Sequence, residues 1–308
     1  MNIQRFQFLD GFSFKILALV LMFLDHLGAF MTMYLTPVEG TPLFIAATVF
    51  RAVGRLAFPL FAFFVAEGMR KTHDRGNYLL RFAILFAIVL IAQAGLSAIP
   101  SFASVSTLAQ PFGDLLSFAA IAYLYEKGGN WRFLIALPVL YLLGSGVINI
   151  LNNNGVQTYV PLYLLAQYNI VGLVLFVPLY FLPKVMEGKL VGAGLLIKDG
   201  KDISFPRPES YGEAAYRRHL NALNASIVAA VFAICWIVSY LTPYLGFYFE
   251  PLGQTRISFE MYGIIAAFFL LLYNGRRGYH AKWWVYFEWS FFPVHILLLA
   301  GIFALISL

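Results

Sequence analysis

Apolar runs of about bilayer length recur nine times along this chain, and that recurrence limits the fold more than any other feature. A helix needs roughly 20 apolar residues to cross the hydrocarbon of a bilayer. Runs at about 14–35, 44–69, 78–99, 112–126, 132–151, 164–183, 223–245, 257–274 and 283–306 approach or meet that length, the fourth being short. Composition agrees. Of 308 residues 61% are hydrophobic and only 12% charged, with a mean hydropathy of +0.77, against an apolar share of ~45–50% in soluble domains. Tyr and Trp gather near the ends of the runs, where amphipathic rings settle at the lipid headgroups. The expectation is an all-α, polytopic integral membrane helix bundle of about nine transmembrane helices, with residues 1–308 forming a single integral domain.

The first run does not read as a cleavable signal peptide. It is too long, carries Asp25 and His26, and has no small-x-small site before the next run. Lys and Arg then set the orientation, because they collect in connections that face the cytoplasm. With a cytoplasmic N-terminus, eighteen of the 21 Lys and Arg residues fall on the inner side, beginning with Arg5 and Lys15. Only Arg256 lies at an outer boundary, while Arg51 and Arg55 lie within the second run. The C-terminus is then outside, in a multi-pass protein of the cell (inner) membrane. The net charge of +6 follows this inner-side pattern, which argues for a lipid bilayer and against nucleic acid as the partner.

The outer connections TPVEGTP, SFASVSTLAQPFG and NNNGVQTYVP are rich in turn residues and free of Lys and Arg. One long inner insertion covers residues 184–220; in it KDGKD reads as a turn and PESYGEAAYRRHL as a short, separately capped surface helix. The single Cys235 lies in an apolar run, so an internal disulfide and a cysteine metal cluster are both excluded.

Ionisable side chains in spanning helices are costly, face the bundle interior, and mark a site or a buried pair. Lys15 and His26 are eleven positions apart, three helical turns plus about 20°, so they share one stripe with an axial separation of roughly 16 Å. Asp25 points about 100° away from its neighbour and cannot orient it. It is expected to meet Arg51 or Arg55, which lie four apart on one face of the second run. Pro59 deprives the Arg55 carbonyl of its helical partner. Glu67, near the inner end, has Arg70 or Lys71 as partner. In the last run Glu288 and His295 are seven apart on one face, and His295 reaches the depth of His26 and Arg55. In the plainest reading these groups are structural glue, each histidine satisfied by a neighbouring carbonyl, and Asp114 is a helix cap.

The spacing also fits acyl transfer. The phosphates of a nucleotide-bearing acyl donor suit the basic inner rim, and the pantetheine arm of coenzyme A is of the order of the Lys15–His26 separation, roughly 16 Å. A neutral His26 would remove a proton from an attacking hydroxyl or amine, with Arg55 stabilising the oxyanion.

The segments FKILALVLMFLDHLGAF, RAVGRLAFPLFAFFVAEGMRKTHDRGNYLLRF, YNGRRG and FFPVHILLL together resemble the TraX family of membrane acetyltransferases over most of residues 12–300. The basic residue, ten positions and histidine from Lys15 to His26 is also similar to a motif of the wider membrane acyltransferase group that modifies cell-surface glycans. The resemblance implies acetyl-CoA or another acyl-CoA as donor, no metal, His26 as base, and roles for Asp25, Arg51, Arg55, Glu67 and His295. Residues and resemblance together give the following expected site. His26, Asp25 and Arg55 form the reaction centre; Lys15, Arg51, Glu67, Arg70, Arg276 and Arg277 serve the donor; His295, Glu288 and Asp114 serve the acceptor. That acceptor is a glycan, a peptide N-terminus or a small amine. A proton-coupled or anion transporter built on the same Asp, Arg and His residues is the rival reading, and an assembly factor without catalysis the third.

Overall fold

The computed structural model describes residues 7–100, 102, 110–200, 202–241 and 259–306. Arg5, Lys201, Arg256 and most of the SFASVSTLAQPFG connection lie outside the described residues, so expectations placed on them are not carried further. Helix α1 (Gly11–Leu35) starts at Asp10, whose carboxylate accepts from the Ser13 amide at 2.8 Å. The second apolar run folds as two helices, α2 (Pro42–Gly54) and α3 (Ala57–Lys71). Pro59 has no N–H to offer the Arg55 carbonyl, and the helix breaks at Arg55–Leu56.

There follow α4 (Arg75–Ser97), α5 (Phe112–Lys127), α6 (Ala136–Asn153) and α7 (Asn169–Gly192). A short hairpin, β1 (Ile197–Asp199) and β2 (Asp202–Ser204), then precedes α8 (Glu213–Leu241), α9 (Ala266–Leu271) and α10 (Lys282–Ile306). Each of the nine apolar runs thus carries helix. Among the described residues seven helices are long and apolar enough to cross a membrane, counting Pro42–Lys71 as one 30-residue span. By length and composition the chain is a multi-pass membrane protein built as a helical bundle.

Burial separates central helices from peripheral ones. The apolar window of Pro42–Lys71 is 61% buried, against 22% for Arg75–Ser97 and 17% for Gly129–Asn153. Helix α3 packs against α1, α5, α7 and α9, and its Leu60, Ala62, Ala66 and Met69 have no exposure at all. Peripheral α4 instead presents Leu80, Ile84, Ile88 and Ile91 outward. That spacing makes one apolar stripe, suited to acyl chains rather than water.

Helices α1 and α10 run parallel, because Lys15 meets Glu288 and His26 meets His295. The start of α1 is stitched to the segment that precedes α10 through Leu9 N to Leu272 O, Asn274 N to Leu9 O and Gly11 N to Arg276 O. Parallel first and last helices fit an odd number of crossings, the parity of both seven and nine.

The inner insertion differs from its expected form. The turn in KDGKD is present, with Gly200 at φ +58 joining the strands. The separate surface helix is not: α7 continues to Gly192, and EAAYRRHL forms the first turns of a 29-residue α8. No Gly or Pro interrupts the chain between Glu213 and Leu241, so nothing stops the helix. The 193–212 connection folds over these first turns, with Leu196, Tyr211 and Tyr216 in a small core of their own.

Helices α1 and α2 approach through glycine. A Cβ on Gly54 would stand 2.3 Å from Cβ of Asp25, and one on Gly28 2.7 Å from the Ala47 carbonyl oxygen. Small residues permit such contact between membrane helices. Gly54→Ala is expected to destabilise the protein by about 1–3 kcal/mol through overpacking. Gly301→Ala, where an added Cβ meets nothing within 4 Å, is the control; thermal unfolding in detergent distinguishes the two.

Candidate active site

On α1 the adjacent Asp25 and His26 face different neighbours, as helical geometry requires. Asp25 Oδ1 receives Arg51 Nη1 at 3.0 Å and Arg55 Nη2 at 3.1 Å. Arg55 is 1% exposed, held where α2 breaks. Two guanidinium groups on one carboxylate leave one net positive charge.

His26 turns the other way, toward α10. Its Nδ1 lies 2.9 Å from the Met22 carbonyl oxygen and 3.1 Å from Nε2 of His295, while Nδ1 of His295 lies 2.7 Å from the Phe291 carbonyl oxygen. Both rings are buried, and Phe292 meets both edge-on. In the neutral rings a single proton assignment satisfies all three contacts. A carbonyl only accepts, so Nδ1 of His295 carries the proton and its Nε2 carries a lone pair. That lone pair, with the Met22 carbonyl, takes the proton on Nδ1 of His26. Nε2 of His26 is left unprotonated, the form a general base needs.

A cavity of about 620 Å³ lies between α1, α3, α4, α5 and α10. At one end it is lined by Lys15, Lys71, Arg81 and Arg277, and at the other by Met22, Phe112 and Phe292. Met22 is one turn before His26. Phe292 also lines a small pocket of about 20 Å³ that contains His26, Val89, Gln93 and Pro293. The Phe292 ring therefore forms part of the wall between the large cavity and His26.

Of the residues expected to serve the donor, Lys15, Glu67 and Arg277 line the large cavity. Lys15 is paired with Glu288 at 2.8 Å, and Glu67 accepts from Lys71 at 2.6 Å and from the Tyr273 hydroxyl at 2.9 Å. Three of the residues expected to serve the donor lie elsewhere. Arg51 is held by Asp25 on the α2 side of α1; Arg70 lies near Tyr180, Tyr216 and Tyr273; Arg276 is exposed on the turn, and none of the three lines this cavity.

Arg55 belongs with Asp25 in the ion cluster and lines neither the large cavity nor the pocket at His26. On the acceptor side, Glu288 faces the large cavity and His295 meets His26, while Asp114 lines neither the large cavity nor the pocket at His26. It is fully buried and accepts from the amides of Tyr168 at 3.2 Å and Asn169 at 2.7 Å, capping the start of α7 instead of its own helix. Among the cavity residues Tyr78, Arg81 and Trp289 carried no role in the sequence reading. The basic cluster after α3 was the available signal for Arg81.

Fold and site together define a polytopic helical membrane protein with a buried histidine pair beside a cavity whose opposite end is basic. The chain belongs to the TraX family: the family model described as TraX protein matches residues 11–226. That span holds Lys15, Asp25, His26, Arg51 and Arg55 and ends within α8, so Glu288 and His295 lie beyond it. No curated protein and no solved structure matches the chain.

Two outcomes are expected from this geometry. Asp25→Ala leaves two guanidinium groups facing each other in a buried place, and is expected to cost about 3–5 kcal/mol of stability, read as a large fall in thermal unfolding temperature. In ¹⁵N-histidine spectra, with only five histidines to resolve, His26 and His295 are both expected to carry the proton on Nδ1; a His26 signal with the proton on Nε2 overturns the assignment.

Proposed function

We propose that this chain is a membrane-embedded acyltransferase that moves an acetyl or other acyl group from acyl-CoA to a hydroxyl or amine, with His26 as general base. The contacts of the two histidine rings, from which an unprotonated Nε2 on His26 follows, beside a cavity that begins at basic residues, are the observation that carries the reading. The resemblance to the TraX acetyltransferases supports the same chemistry.

In this mechanism the donor's phosphates meet the rim, where Arg81 and Arg277 have no carboxylate partner among the described residues while Lys15 and Lys71 are already paired. The thioester arm extends along the cavity to Met22 and Phe292, and turning of the Phe292 ring brings its carbonyl carbon within reach of His26. Nε2 then takes the proton of the acceptor O–H or N–H as that atom attacks the carbonyl carbon. The tetrahedral oxyanion collapses, the C–S bond breaks, and the departing thiolate recovers the proton from His26. The net positive charge of the Asp25, Arg51 and Arg55 cluster, on the other side of α1, favours the oxyanion electrostatically in a medium that screens little. Nε2 of the neutral His295 accepts a hydrogen bond from the Nδ1–H of His26 and keeps that ring in its basic tautomer.

Purified protein in nanodiscs, supplied with labelled acetyl-CoA and separately with a peptide amine, a glycan and a small amine, is expected to transfer label to one acceptor class. His26→Ala is expected to lower the rate by about 10²–10⁴-fold, the usual worth of a general base, with coenzyme A binding retained. Undiminished transfer in His26→Ala overturns the role of His26, and solute uptake into liposomes with no acyl transfer overturns the enzyme reading altogether.

A further inference from the structure

A second cavity of about 320 Å³ lies beside the first and shares Glu67, Lys71, Tyr273 and Gly275 with it. Its remaining wall comes from Phe63 of α3, the 193–212 connection and the first turns of α8, including Phe205, Tyr216, Arg217 and Asn224. Two buried polar atoms, one in the cavity wall and one near it, have no hydrogen-bond partner among the described residues. Oδ1 of Asn224, on a residue 1% exposed, accepts no hydrogen bond, and the buried Nε of Arg70, near Tyr216 and Tyr273, donates none. A buried polar atom left unsatisfied is costly, so each marks a place where a ligand group gains by arriving.

The geometry points to this cavity as the binding place for the adenosine 3′-phosphate end of the acyl donor, clasped by the 193–212 connection. The assignment rests on the acyl-CoA reading of the larger cavity. Purine chemistry matches what the walls offer. A flat ring system suits a space bounded by Phe63, Phe205, Tyr216 and Tyr273; an exocyclic amino group supplies the N–H that Asn224 Oδ1 lacks; phosphate suits the guanidinium groups. The lining charges balance, Lys71 against Glu67 and Arg217 against Glu213, and Arg70, near Tyr216 and Tyr273, adds one positive charge beside the cavity. The volume falls at the small end of ligand pockets, about 300–1,000 Å³, as suits one portion of a two-part ligand. Because the cavities adjoin at Lys71, an elongated donor places its nucleotide in one and its acyl arm in the other.

The same connection explains how the clasp is held. Glu187 on α7 accepts from the Tyr216 hydroxyl at 2.8 Å and pairs with Lys198 of β1, and the Tyr211 hydroxyl meets Nδ1 of His219 at 3.0 Å. These bonds fix the 193–212 segment to the helix that carries Asn224, with Phe205 over the cavity.

The test is binding to the full chain in nanodiscs with three probes: coenzyme A, adenosine 3′,5′-bisphosphate and S-acetyl-pantetheine. Asn224→Leu is expected to weaken coenzyme A and the bisphosphate by about tenfold, the order of one hydrogen bond, and to leave S-acetyl-pantetheine unchanged. Arg217→Ala, at the cavity edge, is expected to do the same and serves if Asn224→Leu fails to fold. Unchanged coenzyme A and bisphosphate affinity in a folded variant overturns the nucleotide assignment while leaving the acyltransferase reading intact. Failure of the wild-type chain to bind coenzyme A at all overturns both.

Discussion

The carboxylate of Asp25, gripped by Arg51 and Arg55, governs the rest of the arrangement. Three ionised groups in the middle of an apolar bundle are tolerable only when each meets its counter-charge, and Asp25 meets both arginines through one oxygen. That requirement holds α1 against α2, where Gly28 and Gly54 let the backbones close, and it sets the rotation of α1 about its own axis. Once Asp25 is committed to α2, His26 has no freedom. It must face about 100° away, where α10 lies. The break at Arg55, imposed by Pro59, allows the second run to change course just where the arginine has to turn inward.

The rotation of α1 also accounts for the contact with α10. Lys15 lies on the His26 stripe, so both reach the same neighbour, and they find Glu288 and His295 there. Two polar rungs at different depths fix the vertical register of α10 on α1, which hydrophobic contact alone does poorly in lipid because acyl chains are as apolar as the packed side chains. Register in turn sets the histidine ring nitrogens, for a slide of one residue, about 1.5 Å, would separate Nε2 of His295 from Nδ1 of His26. The proton placement that leaves His26 basic is thus a consequence of helix rotation and register, both traceable to charged pairs.

How much of this was legible in the sequence depends on the distance over which information acts. Rotation and depth along one helix follow from residue spacing, so the Lys15–His26 stripe, the divergence of Asp25 from His26, the Asp25–arginine contact and the hydrogen bond that Pro59 denies to the Arg55 carbonyl could all be read directly, whereas the division of that run into two helices could not. Which helices become neighbours is not local. The partner of Lys15 is 273 positions away, and the amides capped by Asp114 belong to α7. Likewise the start of α8 looked like a separate surface helix because its polar residues resemble a loop, whereas a polar first turn is what a helix leaving the membrane surface needs. Cavities lie furthest from the sequence, since Arg81 from α4 and Arg277 from the turn before α10 meet only when the bundle closes.

Pairing at the basic end changes what the Lys15–His26 spacing means. An ammonium already held at 2.8 Å by Glu288 is a weak hook for phosphate, because an incoming anion must displace or share its carboxylate. Arg81 and Arg277 have no such competitor among the described residues, and planar guanidinium groups match phosphate oxygens better than an ammonium does. Lys15 then acts on the site through geometry: it draws Glu288 toward α1, and seven residues further along α10 that same face delivers His295 to His26. A motif of a basic residue and a histidine eleven positions apart, which from sequence alone looks like a ruler laid along the donor, is in this fold the pair of fastenings that sets α10 against α1.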